Sequence, residues 1–462
     1  MSHLRQPFRA TAAALLLAAA SVGWASTAQP LDDALLATLQ TAYTRAVVPG
    51  PLADQHRELF GSLLRRVQTS HATEADFAAL TAAATKVLDA LPPASGEPVE
   101  TFRTAMNAAL RSFDNYARYL DARAYRNEQT AAGGNFVGLG IELEPTDAGV
   151  RIVAPMPGGP AARAGLRAGD LIVQVDDKPL QGVALADAIA RMRGDVGTQV
   201  SLVVRRAGAD DFTLALTRDT IRRQLLRWRM EGGTLVLRLS SFTGPVSTAL
   251  ADAVAEASAT TPPQAVVLDL RGNPGGLIRE AVRVADAFLA GGEIASMRGR
   301  TPGNMRSWQA DAAELLAGLP MVVLMDKNSA SASELVAAAL QENGRATVMG
   351  QRSFGKGSVQ TTYALGDGMG AVKLTSALYY GPRGNTVNQA GVVPDVELLA
   401  TAPDASRAEP VPSAAPVRVA QTHCASGTAS TAEADAPLAC ALTLLRAGSV
   451  GAFAAAFAGA AP

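Results

Sequence analysis

Three serines alternate along one short stretch of the chain: Ser329, Ser331 and Ser333. Before them, the continuous apolar run over residues 321–325 has the length of a buried strand. After them, the apolar surface that begins at Glu334 predicts a helix. A strand, a turn and a helix in this order place a serine hydroxyl at a helix N-terminus, where free backbone N–H groups stabilise a developing negative charge. The stretch therefore indicates nucleophilic serine chemistry.

The positions of the histidines limit which group could activate such a serine. The chain has four histidines, and none lies between residues 72 and 422. They are His3, His56, His71 and His423. A Ser-His-Asp triad within the central domains and an HExxH zinc site are therefore both excluded. We expect His56 and His71 to be surface residues rather than ligands.

Without a central histidine the base must be another side chain, and Lys356 is the obvious candidate. Only five of the 41 lysine and arginine residues are lysines, and Lys356 lies between Gly355 and Gly357 in a predicted turn. Burial can shift an ammonium group towards its neutral form, whereas a guanidinium group stays protonated. Lys356 is therefore the candidate general base, and its pKa must fall from about 10.4 towards roughly 7–8 for that role.

These two motifs together resemble those of the carboxy-terminal processing peptidases, which are Ser/Lys proteases with an inserted PDZ domain. The motifs are Ser-Ala-Ser-Ala-Ser-Glu at 329–334 and Phe-Gly-Lys-Gly-Ser-Val-Gln at 354–360. The resemblance implies that Ser331 is the nucleophile, that Lys356, 25 positions later, is the base, and that Gln360 orients the lysine. It extends from about residue 102 to residue 398.

A second glycine-rich motif, Arg-Gly-Asn-Pro-Gly-Gly at 271–276, follows a predicted buried strand over 265–270. It lacks the spacing of a Rossmann or Walker phosphate loop. The same family has this motif, and its glycine N–H lines the oxyanion hole. The resemblance thus assigns Gly275 or Gly276 as one oxyanion donor and the Ala332 N–H as the other.

Residues 135–218 have the order of strands and helices that resembles a PDZ domain. Its carboxylate-binding loop would be Gly138, Leu139, Gly140 and Ile141. In such a domain, free N–H groups hold the terminal carboxylate of a peptide, and the peptide adds a strand beside the domain's helix. The resemblance implies substrates that are proteins or peptides with accessible C-termini.

Patterning predicts an N-terminal helical region, a β-rich module and an α/β region, and the resemblance implies that the last two are a PDZ domain and a serine protease core, so that the protein is multidomain. The expected boundaries are 1–28 for a signal peptide, 29–134 for the helical region, 135–218 for the PDZ domain, 219–400 for the protease core and 401–462 for a linker with a cysteine-containing tail. The loop Asp114-Asn115-Tyr116-Ala117 stands where the family usually has Asp-Pro-His-Ser, which leaves its role open.

The N-terminus has the pattern of an export signal. Arg5 and Arg9 precede an apolar stretch over residues 10–22, and small residues then allow cleavage after Ala25 or Ala28. We therefore expect an exported, periplasmic protein, with membrane association as the alternative if the signal is not cleaved. Export makes a disulfide between Cys424 and Cys440 plausible, and unlinked thiols are the alternative.

The predicted function is that of an exported serine endopeptidase that recognises C-terminal ends of proteins and cleaves near them. A catalytically silent PDZ protein that binds peptides is the alternative. A net charge of −1 gives no electrostatic argument for nucleic acid, and no motif calls for a cofactor or a metal. The sequence leaves homo-oligomerisation and the effect of the PDZ domain on activity open.

Overall fold

The computed structural model describes residues 30–399, except residues 223, 312 and 367, together with residues 416–424 and 435–457. The predicted signal peptide and nearly all of the predicted linker lie outside the described residues. Within them, no single helix is long and apolar enough to cross a bilayer; two C-terminal helices reach that length only jointly, across a bend of 114°.

Four helices near the N-terminus pack around buried aromatic rings. Phe102 lies at the centre, with ring centroids 4.6 Å from Phe60 and 6.1 Å from Tyr43. Acidic N-caps start three of the helices by accepting backbone N–H groups. The helices are α1 (Asp33–Ala46), α2 (Pro51–Ser70), α3 (Phe77–Asp89) and α4 (Pro98–Arg111); strand β1 (Arg118–Leu120) and helix α5 (Ala122–Ala132) follow them.

The prediction that His56 and His71 lie at the surface is wrong, because both are buried in this helical region. The His56 ring stacks on Phe102 with centroids 4.8 Å apart. Burial lowers the pKa of His56, which favours the neutral ring that such packing needs. His71 Nε2 lies 3.1 Å from Asp114 Oδ2. Within the described residues, no cluster of side chains suited to a metal ion is found.

The next module is a sheet of six strands with two short helices, and its core is separate from that of the helical region. A two-stranded ribbon of β2 with β9 closes it, because the segments that enter and leave the module pair antiparallel. The elements are β2 (Asn135–Gly138), β3 (Ile141–Thr146), β4 (Gly149–Pro155), α6 (Pro160–Arg163), β5 (Leu171–Val175), β6 (Lys178–Pro179), α7 (Leu185–Met192), β7 (Gln199–Arg205), β8 (Phe212–Thr217) and β9 (Asp219–Arg222).

The third unit contains a seven-stranded sheet in the order β10-β11-β12-β15-β16-β19-β20, parallel except for the β10–β11 pair. The central strands are buried along their whole length, as parallel strands covered on both faces must be. The strands are β10 (Leu226–Glu231), β11 (Thr234–Leu239), β12 (Ala265–Asp269), β15 (Met321–Met325), β16 (Thr347–Gly350), β19 (Val396–Leu399) and β20 (Val417–Ala420).

Three helices cover one face of this sheet, and a second sheet packs beside them. The helices are α8 (Val246–Thr260), α9 (Ile278–Asp286) and α10 (Ala332–Glu342). The second sheet consists of β1, β13 (Glu293–Gly299), β14 (Arg306–Gln309), β17 (Ser358–Ala364) and β18 (Ala371–Tyr380). Strand β1 pairs with β18, so the helical region is joined to the third unit through a shared sheet.

The C-terminal tail covers the other face of the seven-stranded sheet, which differs from the predicted separate tail. Strand β20 extends the sheet beside β19, and helix α11 (Ala436–Ala447) packs on the apolar side chains that point away from α8–α10. A short helix, α12 (Val450–Phe457), follows it. Cys424 and Cys440 form a disulfide that joins the segment after β20 to α11. The tail is therefore part of the third unit.

Candidate active site

The three predicted catalytic loops meet at one edge of the seven-stranded sheet. They follow the carboxyl ends of β12, β15 and β16, which are adjacent parallel strands. In open α/β sheets this edge is where ligands bind. The loops enter a cleft of about 600 Å³ that Ser331, Ala332, Gly276, Lys356 and Gln360 line together.

Ser331 adopts a strained backbone conformation at the start of α10, with φ 56° and ψ −114°. Gly275 lies directly against this turn, since a Cβ at Gly275 would fall 2.9 Å from the Ser331 Cβ and 2.8 Å from the Ala332 nitrogen. Only glycine permits this approach. The turn presents the Ser331 side chain to the cleft.

The two flanking serines, Ser329 and Ser333, are fully buried and form hydrogen bonds to backbone carbonyls. Ser329 Oγ donates to the Leu270 carbonyl at 2.9 Å, and Ser333 Oγ donates to the Asn273 carbonyl at 2.9 Å. Both bonds tie the serine turn to the loop after β12. Ser331 is thus the only one of the three that lines the cleft.

Glu334 is fully buried and connects the serine turn to the lysine loop. Its Oε2 accepts the N–H of Ser331 at 2.7 Å and the N–H of Lys356 at 2.8 Å. Its Oε1 accepts the Ser353 hydroxyl at 2.5 Å and the Gly355 N–H at 2.6 Å. One carboxylate oxygen therefore bonds the backbones of both the candidate nucleophile and the candidate base.

Tyr379, on β18, makes the complementary connection. Its buried hydroxyl lies 2.8 Å from the Ser331 carbonyl and 2.9 Å from the Lys356 carbonyl, and shares its single proton between the two. Burial raises the pKa of Tyr379 well above its usual value, with the charge of Glu334 adding to the effect, so the hydroxyl keeps its proton. Ser331 and Lys356 are thus linked through both their N–H and their C=O groups.

The Lys356 side chain is half-buried in the cleft, and its pKa is lowered from the ordinary lysine value. Burial is the main cause, and the positive charges of Lys373 and Arg118 add to it, while Asp114 and Glu334 oppose it. Lys373 and Arg118 line the same cleft. The environment therefore shifts Lys356 towards the neutral amine, which is the form that a general base requires.

The loop over residues 114–117 contributes to this environment. The Lys356 Nζ lies 4.7 Å from the centre of the Tyr116 ring. Asp114 fixes the loop through hydrogen bonds that its carboxylate accepts from His71, Tyr116 and Thr375. Burial alone would raise the pKa of Asp114, but these hydrogen bonds lower it to about 2. The family's usual Asp-Pro-His-Ser is thus replaced here by a loop that stacks an aromatic ring on the lysine.

Gln360 lies in the cleft with Lys356, but the structure contains no hydrogen bond between the two among the described residues. The Gln360 Nε2 donates to Ser358 Oγ at 2.9 Å and to Thr375 Oγ1 at 3.3 Å. Likewise, no hydrogen bond joins Ser331 Oγ to Lys356 Nζ within the described part of the chain. The structure thus brings the three predicted residues to one cleft without their direct contacts.

The two candidate glycines of the oxyanion hole differ in their hydrogen bonds. The Gly275 N–H donates to the Asn273 side chain at 2.9 Å, so it is not available to bind an oxyanion. Among the described residues, the Gly276 and Ala332 N–H groups donate to no other group. Both residues line the cleft with Ser331. The geometry therefore favours Gly276 over Gly275 as the partner of Ala332.

The predicted peptide-binding loop lines a second cavity of about 730 Å³, beside helix α7. Gly138, Leu139, Gly140 and Ile141 all contribute to its wall. Gly140 has a φ of 69°, and within the described residues the N–H groups of Leu139 and Gly140 have no acceptor. Two donors are therefore available at the end of an apolar groove.

The sequence did not predict the roles of two residues of the site, Glu334 and Tyr379. The role of Glu334 had a local signal, since its position three residues after Ser331 matches a capping box. That signal does not predict the bonds to Ser353, Gly355 and Lys356. Tyr379 had no local signal, because its partners lie in other segments of the chain.

Comparisons with known proteins agree with this architecture. Residues 233–398 match the model of Peptidase family S41, and residues 151–206 match that of the PDZ domain. The carboxy-terminal-processing protease of Bartonella bacilliformis is 37% identical over 349 residues, which cover 75% of each chain. The carboxy-terminal processing protease CtpA of Bacillus subtilis is 32% identical over 63% of each chain.

The fold and these matches define a serine peptidase that carries a PDZ domain. The chain belongs to the carboxy-terminal-processing proteases of peptidase family S41. Among solved structures, the photosystem II D1 C-terminal processing protease aligns with 74% of this chain and 92% of its own, at 29% identity and a TM-score of 0.47. The predicted family and fold class are confirmed.

Glu334→Gln tests the connection between the two loops. The amide replaces one acceptor oxygen with a donor, which leaves two of the four bonded groups without an acceptor. We expect kcat on an unstructured protein substrate to fall about 100-fold, since small displacements of reacting groups have effects of that size. Wild-type kcat in this variant would contradict the assigned role.

Glu256→Gln is the matched control, because it makes the same chemical change on the exposed face of α8. Its kcat and melting temperature should equal those of the wild type.

Proposed function

We propose that this chain is an exported endopeptidase that captures the C-termini of protein substrates and cleaves them by a Ser/Lys mechanism. The observation that carries the proposal is that Ser331 and Lys356 line one cleft while the same two side chains, Glu334 and Tyr379, bind both backbones. The lowered pKa of Lys356 supports its role as the base.

In the proposed mechanism, Ser331 Oγ attacks the scissile carbonyl and neutral Lys356 accepts its proton. Because no hydrogen bond joins the two groups in this structure, the side chains must approach when substrate binds. Gln360, which lines the cleft beside the lysine, would orient the amine. Lys356 then returns the proton to the leaving amine, and a water molecule hydrolyses the acyl-enzyme.

The tetrahedral intermediate carries its negative charge on the former carbonyl oxygen. The Gly276 and Ala332 N–H groups would stabilise it, since both line the cleft and have no other acceptor among the described residues. The N-terminus of α10 adds a favourable dipole at the same point. Loss of one such donor in other hydrolases lowers kcat by about 10²–10³.

The PDZ domain would recognise the substrate through its terminal carboxylate. Leu139 and Gly140 offer two N–H donors, and the apolar groove beside α7 offers room for the preceding side chains. Arg227 of β10 also lines this groove, and its positive charge favours an anion there. The expected partners are thus proteins or peptides with accessible C-termini.

Export is supported by the N-terminal sequence pattern and by the disulfide, which forms and persists in oxidising compartments. The proposed location is the periplasm. The mass of the mature protein recovered from that compartment should correspond to cleavage after Ala25 or Ala28, and an intact N-terminus would contradict a cleaved signal.

Lys356→Arg tests the general base. Arginine keeps the positive charge but cannot accept a proton at working pH, so kcat should fall by about 10³-fold, as in Lys356→Ala. Ser331→Ala should also be inactive, while Ser329→Ala should stay within about tenfold of wild type. Substantial turnover by Lys356→Arg would exclude the role of Lys356.

The pH dependence of kcat has a definite sign. Protonated Lys356 cannot act as a base, so activity should be lost as the pH falls through its pKa and regained above it. An exposed lysine has a pKa of about 10.4. Because the pKa of Lys356 is lowered, the rise in activity should occur at a lower pH than that. A flat profile would contradict the mechanism.

Amidation of the substrate's C-terminus tests carboxylate recognition. We expect an unstructured protein with an amidated tail to be cleaved about tenfold more slowly than the same protein with a free carboxylate, since a lost charge-assisted hydrogen bond has an effect of about that size. Gly140→Val should slow the free substrate similarly and remove the difference, because valine cannot adopt the φ of 69° without strain.

Gly303→Val is the matched control, because it adds the same side chain at a glycine that has open space around it and no positive φ. Equal rates for the free and amidated substrates would overturn the recognition proposal and leave the Ser/Lys assignment intact.

A further inference from the structure

The C-terminal tail reaches the loop that carries the proposed oxyanion donor. This loop begins at Arg271, two residues after the end of β12, and ends at Gly276. The tail contacts it at Asp435, the N-cap residue of α11. The two residues are 164 positions apart in sequence, so the contact is purely tertiary.

Arg271 holds two carboxylates at once. Its Nε and Nη2 donate to Asp269 at 2.9 and 2.7 Å, and its Nη1 and Nη2 donate to Asp435 at 2.6 and 2.7 Å. The Arg271 side chain is only 14% exposed. A paired guanidinium of this kind fixes both position and orientation, because its donors form a planar fork.

The loop beyond Arg271 is rigidly connected to the catalytic turn. Gly272 N–H donates to Asp326 at 2.9 Å, and the Asn273 carbonyl accepts the Ala330 N–H at 3.0 Å and the Ser333 hydroxyl at 2.9 Å. The loop that carries Gly276 and the start of α10 are therefore joined by direct hydrogen bonds.

The tail itself is firmly attached. The Cys424–Cys440 disulfide joins α11 to the segment after β20, and α11 packs on the apolar face of the sheet. Asp435 thus contacts Arg271 from the start of α11, a helix that the disulfide and apolar packing hold in place independently of this contact. For Asp435, burial would raise the pKa, but hydrogen bonds and charge from Arg271 lower it, so the carboxylate stays ionised.

We infer that Asp435 is a positioning residue for the peptidase reaction, which holds the oxyanion loop in place through its bidentate ion pair with Arg271. This inference rests on the proposed function, because it needs Gly276 as an oxyanion donor. It assigns to the C-terminal tail a part in catalysis as well as in covering the sheet. Asp435 acts through Arg271, since it does not itself line the cleft.

Asp435→Ser separates the two tasks of this residue. Serine is as good an N-cap as aspartate, so α11 keeps its first turn, but the hydroxyl cannot bridge the two guanidinium nitrogens. We expect kcat on an unstructured protein substrate to fall about tenfold, with KM within about twofold of wild type, because the loss affects the transition state. Unchanged kcat would overturn the inference, even if the melting temperature fell.

Asp435→Asn provides a second variant with minimal risk to folding, since it keeps the shape and an oxygen for the cap, and removes the charge and one of the two oxygens that accept from Arg271. It should lower kcat in the same direction. Wild-type kcat in both variants would also overturn the inference.

Arg418→Ser is the matched control for loosening of the tail. It removes the exposed ion pair with Glu397 at 2.9 Å, which joins β20 to β19 away from the oxyanion loop. Its kcat should equal that of the wild type. An equal fall of kcat in Arg418→Ser and Asp435→Ser would mean that tail attachment alone matters, and would overturn the inference.

Ser331→Ala, measured in parallel, separates this inference from the proposed function. If that variant cleaves like the wild type, the proposed nucleophile is wrong, and with it the basis of the inference. If it is inactive and Asp435→Ser is fully active, only the inference fails.

Discussion

The Glu334 carboxylate is the interaction on which the rest of the site depends. It is fully buried, and four N–H or O–H donors from two separate loops satisfy its oxygens. A buried charge without such partners would cost several kcal/mol, so the two loops cannot separate without a large penalty. The position of Glu334 in the first turn of α10 further favours the negative charge. The relative position of Ser331 and Lys356 thus depends on the buried carboxylate of Glu334.

The sheet below the site imposes a second constraint. A parallel sheet with apolar side chains on both faces must be covered on both sides. Helices α8–α10 cover one face, and the C-terminal tail covers the other. The covering elements also carry chemistry, since α10 presents Ser331 and the tail presents Asp435 to Arg271. In the proposed mechanism, the elements that cover the sheet therefore also position catalytic groups, on both of its faces.

Local patterns in the sequence predicted what depends on neighbouring residues. The strand–turn–helix order indicated Ser331, and the absence of central histidines made Lys356 the candidate base. The capping-box spacing placed Glu334 at the helix start, but its bonds to a loop about 20 residues away depend on the tertiary fold. Tyr379 joins the site only because β18 pairs with β17, which no local pattern specifies. The tail was predicted as separate because a short edge strand, Val417–Ala420, gives little signal after a Pro/Ala/Ser-rich segment.

The central claim is that Ser331 is activated by neutral Lys356. The most direct measurement is the rate and site of labelling by a serine-directed fluorophosphonate, followed by peptide mapping and repeated across pH for the wild type and Lys356→Ala. The account predicts an adduct on Ser331 only, a rate that rises as Lys356 deprotonates, and loss of labelling in Lys356→Ala. An adduct on Ser329 or Ser333, or an undiminished rate in Lys356→Ala, would contradict it.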